Sequence, residues 1–155
     1  MFNGFLQTFL VSMLPFVELR LGIPFGYIKF DLPIGTSLLA GTLGTIISVG
    51  FVLWLLPRIV KFLKRISFFR KILDKVFEKT RQDHSKKMLI WGEVFLVFFV
   101  AVPIPGSGGF SGALIAFLFG LPYWKSMKYI SLGILFAGII VSVLTVGIDS
   151  FINLF

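Results

Sequence analysis

Apolar and polar positions divide this chain into long uncharged runs separated by short polar joints. Ile34 to Leu56 carries no charge across 23 residues, and Tyr129 to Ile148 none across 20. A helix needs about 20 apolar residues to cross the hydrocarbon core of a bilayer, so each run predicts a spanning helix. Two further apolar regions are interrupted. Met1 to Ile28 contains Pro15, Glu18, Arg20, Gly22 and Pro24. Val94 to Trp124 is uncharged for 31 residues, yet the string PIPGSGG, Pro103 to Gly109, cuts it. Proline cannot continue the hydrogen-bond ladder and glycine weakens a helix, so each region predicts two arms around a broken centre. The arms Phe2 to Leu14 and Phe110 to Leu121 hold 13 and 12 residues, which suits re-entrant elements better than full spans.

Charge supplies a topology. Eleven of the fifteen Lys and Arg lie between Arg58 and Lys87 with three acids, a surplus equal to the whole net charge of +8. A basic block between apolar runs reads as cytoplasmic by the positive-inside rule, and its distribution argues against nucleic acid as a partner. The helix 34–56 then comes in from outside, and the first hairpin has both ends outside. The second hairpin enters from the cytoplasm and returns there, where PYWKSMK, Pro122 to Lys128, carries Lys125 and Lys128 without an acid. The last helix ends outside near Asp149. Within the basic block, Ile59, Phe62, Ile66, Phe69, Leu73 and Val76 form one helical stripe, predicting an amphipathic helix on the anionic membrane surface.

The two halves repeat one order: a broken hairpin, a Leu-Pro step (Leu32–Pro33; Leu121–Pro122), then a helix containing glycines (Gly41 and Gly44; Gly133 and Gly138). Because the halves enter from opposite sides, this is the pattern of an inverted repeat, a common plan of transporters whose sites lie at broken helices. The expected fold is an all-α integral membrane protein in a single membrane domain, 1–155. It comprises a re-entrant hairpin (1–28), a transmembrane helix (34–56), the basic amphipathic cytoplasmic helix and loop (57–87), a second re-entrant hairpin (88–121) and a transmembrane helix (122–149). The expected location is the inner, cytoplasmic membrane of the cell.

Composition agrees. Hydrophobic residues make up 57% of the chain and the mean hydropathy is +0.97, against roughly 45–50% apolar residues in globular chains. There is no cysteine and one histidine, His84, in the polar stretch RQDHSKK, so neither a zinc site nor a thiol nucleophile is expected, and no cofactor. The first charges, Glu18 and Arg20, come too late for a cleavable signal. Asp31 and Asp149 stand at segment ends rather than paired at depth, so no enzyme is expected. Tyr123 and Trp124 read as residues of the interfacial aromatic belt.

Candidate chemistry concentrates at the two breaks. Ionisable groups at membrane depth cost about 2.5–3.5 kcal/mol each to insert, so Glu18 and Arg20 mark function by default. Two residues apart on a helix, they do not face each other. Either the backbone is broken there or each finds a partner elsewhere. A buried carboxylate can carry a proton, and a buried guanidinium can hold a phosphate or carboxylate in a forked contact. The competing reading is an ion pair that fixes the hairpin tip. At the second break, Pro103, Pro105, Gly106, Ser107, Gly108, Gly109, Ser111 and Gly112 let backbone approach a ligand closely. Ser107 or Ser111 is expected to cap the arm starting near Phe110, whose amides and dipole would bind an anion. Close helix packing by small residues is the alternative. Glu93 opens the second hairpin and reads as an interfacial carboxylate or the point where a proton enters.

The motifs PFVELRLGIPFG, Pro15 to Gly26, and VPIPGSGGFSGALIAFLFGL, Val102 to Leu121, resemble those of the small multidrug export protein family, itself distantly similar to the DedA/VTT membrane proteins. The resemblance implies opposed re-entrant hairpins and either proton-dependent transport or movement of lipid carriers such as polyprenyl phosphates. It assigns function to Glu18, Arg20, Pro103, Pro105, Gly106, Gly108 and Gly112. Unlike typical DedA proteins, this chain has no arginine between Glu93 and Lys125. The expected activity is proton-coupled transport of a small amphipathic or anionic substrate, such as a lipid phosphate. The alternatives are passive lipid scrambling and a non-transporting membrane scaffold. Expected partners are membrane lipids, the substrate, protons and a second copy of the chain, since so short a chain shields its broken backbone poorly.

Overall fold

The structure is a computed structural model that describes residues 2–63, 86–104 and 107–152. These residues form six helices and no strand: α1 (Phe2–Ser12), α2 (Glu18–Phe30), α3 (Ile34–Leu63), α4 (Lys86–Ala101), α5 (Gly109–Leu118) and α6 (Tyr123–Ile152). The helices α3 and α6, 30 residues each, are long and apolar enough to cross a membrane. The part of the basic stretch from 64 to 85, His84 included, and Pro105 and Gly106 lie outside the described residues.

The register of the helices follows from their close contacts. α1 runs alongside α3 in the same direction: Thr45 Oγ1 donates to the Ser12 carbonyl at 3.2 Å and Ser48 Oγ to the Met13 carbonyl at 2.7 Å. α2 returns the other way, with Ile23 against Gly41 and Gly26 against Ser37, while Gly4 at the start of α1 lies against Phe30 and Leu32. The α1–α2 hairpin therefore begins and ends at one end of α3 and turns beside Ser48, near the middle of that helix. The second hairpin is built likewise on α6. Glu93 of α4 meets Lys125 and Val100 meets Gly133, whereas α5 runs back with Gly112 near Ile130 and Gly109 near Ile134. α3 and α6 are antiparallel, since Gly138 packs on Leu38 and Thr42 while Gly50 packs on Met127. The two hairpins thus approach from opposite ends, and their turns meet beside Thr45 and Val49 of α3.

Leu19, Ile23, Val49, Leu96, Val100, Ile130 and Ile134 form the core between the hairpins and the long helices. Leu39, Leu43, Ile47, Phe51 and Trp54 make an exposed apolar stripe along α3, and Leu132, Leu135, Phe136, Ile139 and Val143 another along α6. Lipid does not drive such surfaces together, so helix association depends on small residues and on hydrogen bonds. Both are present: Thr8, Ser12, Ser37 and Thr45 are fully buried at the seam of α1, α2 and α3. There, the Thr8 and Ser12 hydroxyls donate to carbonyls one turn back in their own helix, each at 2.8 Å.

Four boundaries differ from expectation. The first arm stops at Ser12, and the second runs from Gly109 to Leu118. α2 continues through Pro24, so the break in the first region is confined to residues 13–17. α3 passes through Pro57 to Leu63 instead of ending at Leu56. Proline has a helical φ and removes only one donor; beyond it Arg58 donates to the Trp54 carbonyl at 2.9 Å and lies 3.6 Å from the centre of the Trp54 ring.

A methyl group at Gly44 would collide with the Phe9 carbonyl oxygen, which is backbone and cannot rotate away. Gly44→Ala is expected to lower stability by about 1–3 kcal/mol, the usual cost of overpacking. Gly147, with nothing within 4 Å, serves as the control. Gly147→Ala is expected to stay within about 0.5 kcal/mol of the parent in thermal unfolding in detergent.

Candidate functional site

Breaking a helix at depth strands backbone groups. Past the end of α4 the carbonyls of Val102 and Ile104 have left the helical ladder, and at the start of α5 the first amides have no helical acceptor. The broken ends also carry opposite partial charge, negative at the C-terminus of α4 and positive at the N-terminus of α5. The first turn of α2 meets both. Arg20 donates through Nη2 to the Val102 carbonyl at 3.0 Å and to Ser107 Oγ at 3.1 Å, and through Nη1 to the Ile104 carbonyl. Glu18 Oε1 accepts the Phe110 amide at 3.1 Å. Each charge therefore sits at the helix end of opposite sign.

Local backbone makes this reach available. Two residues apart on α2, the side chains diverge and address different partners. Glu18 itself has φ +46° and Phe16 φ +72°, left-handed values that side chains other than glycine's adopt at a cost. That strained turn, residues 13–17, brings the buried Glu18 carboxylate against Gly108. A Cβ on Gly108 would overlap the Glu18 carboxylate, so a side chain there would displace it from its present place. Ser107, also buried, lies within 2.7 Å of the Val102 carbonyl and 2.9 Å of the Ile104 carbonyl, and its one proton can serve either. It receives Arg20 on its remaining lone pair.

Two cavities flank this junction. The first, about 510 Å³, runs from Arg20 and Pro103 past Pro24 and Ile28 to Thr145, Ile148 and Asp149 on α6. At its far end Tyr27 donates to Asp149 Oδ2 at 3.2 Å. The second, about 520 Å³, lies at the turns, between Pro15, Phe16 and Leu21 on one side and Gly108, Phe110 and Ser111 on the other. Both are walled by apolar side chains, and Arg20 and Pro103 border both.

The predicted residues thus fall into groups. Glu18, Arg20, Pro103, Ser107, Gly108 and Ser111 come together at the junction. Gly109 and Gly112 serve helix packing: a Cβ would lie 2.7 Å from Val49 on α3 and 2.6 Å from Val100 on α4, respectively. Glu93 is far along α4, paired with Lys125 at 3.1 Å and facing Tyr129. The expected serine cap is not formed. Gly108 is the N-cap of α5 without a side-chain bond, because Ser107 turns back to the carbonyls of its own loop. Nor is the Phe110 amide open to a ligand, since Glu18 already holds it. Sequence reasoning missed Tyr27, Thr145, Ser48 and the Tyr27–Asp149 link. Ser48 and Thr145 had a signal, hydroxyls inside otherwise apolar spans, whereas the link joins residues 122 positions apart.

The family described as "Putative small multi-drug export protein" matches residues 18–140, from the ionisable turn of α2 into the last helix. The chain belongs to that family. With its two long apolar helices, this member of the small multi-drug export family is a membrane protein. No curated protein and no solved structure matches the chain significantly.

The Glu18–Gly108 contact is testable by a double-mutant cycle. Gly108→Ala is expected to destabilise the protein by expelling the carboxylate, and Glu18→Ala to do so by leaving the α5 amides bare. In the double variant the added methyl no longer meets a carboxylate, so the two losses should fall short of additivity by at least about 1 kcal/mol in thermal or denaturant unfolding.

Proposed function

We propose that this membrane protein is a proton-coupled transporter of a small amphipathic or anionic substrate, lipid phosphates included, working at the junction of the two hairpin turns. One observation carries the reading. The Glu18 carboxylate already occupies the place at the head of α5 that a substrate anion would take, beside the Arg20 guanidinium. Proton and substrate are then linked by competition. Protonation of Glu18 removes the charge that holds it to the Phe110 amide and frees donors for an incoming anion, so the two travel together. Helix N-termini and guanidinium groups are suited to phosphate and carboxylate alike.

The wider reading supports this use. In it, the two three-helix halves are an inverted repeat, and their hairpins are re-entrant, as the distant DedA/VTT similarity implies. The basic segment 58–87 faces the cytoplasm and the protein sits in the cytoplasmic membrane, with no catalytic role. Lipids, protons and a second copy of the chain are its partners. Glu93, bound to Lys125 away from the junction, acts as an interfacial carboxylate. Passive lipid scrambling is the second reading, favoured by the tip cavity and by Phe16, which is 97% exposed at its rim.

Reconstitution into liposomes separates the two. With a fluorescent lipid phosphate and an imposed pH gradient, coupled transport predicts flux that follows the gradient. Glu18→Gln, which cannot cycle a proton, should lose the gradient dependence, and Arg20→Ala should lose flux. Lipid redistribution that ignores both the gradient and Glu18→Gln would establish scrambling instead. Unchanged flux in both variants would remove the site from this junction.

A further inference from the structure

We infer that Arg20, with Pro103, is the permeation barrier of the protein: one side chain and one ring separate two half-pathways that open toward opposite ends of the helix bundle. The inference deepens the transport reading and rests on it for its use, but the barrier itself is observable without any substrate.

The cavities carry the argument. Both border Arg20 and both border Pro103, and they share no other lining residue. The first extends along the later turns of α2, at Pro24 and Ile28, and the outer half of α6, ending at Asp149 and Ile152. That is the end where α3 begins, because α3 and α6 are antiparallel and α2 finishes there. The second lies past the turn of the first hairpin, at Pro15 and Phe16, and beside the first turn of α5, at Phe110 and Ser111. The two are of nearly equal size, about 510 and 520 Å³.

Arg20 can act as a movable partition because of how it is held. Its bonds run to two loop carbonyls and a serine hydroxyl, all on the loop between α4 and α5 and none to a carboxylate in that loop. Such acceptors can be exchanged for substrate oxygens or water as the guanidinium swings. The hydroxyl of Ser107 then turns to the same Val102 and Ile104 carbonyls, which it already reaches. The Ile104 amide also donates to the Val102 carbonyl at 2.9 Å and the Ser107 amide to the Ile104 carbonyl at 3.1 Å, so the loop keeps its carbonyls partnered while the barrier opens. Pro103, by contrast, is a rigid ring whose place is set by the end of α4.

The chain contains no cysteine, so single cysteines report cleanly. Thr145→Cys places a thiol in the first cavity and Ser111→Cys in the second. In oriented proteoliposomes, a membrane-impermeant thiol reagent is expected to label each from one side only, and from opposite sides. Adding Arg20→Ala should abolish this sidedness, so that both positions react from both sides. Pro103→Ala should weaken it in the same direction, and it decides the matter if Arg20→Ala does not fold. Labelling of either cysteine from both sides with Arg20 and Pro103 intact would overturn the inference. So would sidedness that persists in the folded variants. Loss of sidedness without any substrate flux would leave the barrier standing and remove only the transport reading.

Discussion

The structure depends on one constraint: backbone broken among apolar helices must find hydrogen-bond partners from the protein itself, because apolar surroundings offer none. Both hairpins answer it, in different chemistry. The first hairpin turns beside α3, where Thr45 and Ser48 donate to the carbonyls of Ser12 and Met13. The second hairpin has a wider gap, between Ala101 and Gly109, and receives charge: the Arg20 guanidinium for its loose carbonyls and the Glu18 carboxylate for its leading amide. The two ionisable groups are thus costly among apolar helices and partnered there by the broken backbone they serve. Each is neutralised in part by the partial charge of a helix end.

This arrangement also explains why the functional and structural readings of Glu18 and Arg20 converge. A carboxylate that caps a helix and a carboxylate that competes with a substrate anion make the same contact. What distinguishes them is whether the contact is exchanged. The strained φ values at Phe16 and Glu18, the absence of room for a side chain at Gly108, and open volume on both sides of Arg20 describe a contact held tightly but next to space.

Much of the fold was legible in the chain because the bilayer imposes lengths. The charge-free runs 34–56 and 129–148 mark the two long helices, and the Pro-Gly string 103–109 marks the second break. The first break was placed less well. Pro24 looks as disruptive as Pro15 in sequence, yet it rides inside α2, while the actual turn is made by Phe16 and Glu18 in left-handed conformations that no glycine announces. At the site, the identities of the key residues were readable from their rarity, whereas their partners were not. Arg20 and Glu18 bind groups 82 to 92 positions away, chiefly backbone atoms that have no sequence signature. The glycines divided only once neighbours were visible: Gly108 yields to a carboxylate, Gly109 and Gly112 to valines of other helices.

The span of those bonds bears on how the molecule is made. Chains are synthesised from the N-terminus, so the first hairpin enters the membrane well before its partners exist. When Glu18 emerges, Phe110 is still 92 residues from being joined to the chain. During that interval both charges must be kept hydrated or sheltered by the insertion machinery. The second hairpin partners its loop carbonyls in part through its own Ser107, but its charged partners come only from a first hairpin already in place. Biogenesis is therefore ordered by the same two side chains, and the junction closes last.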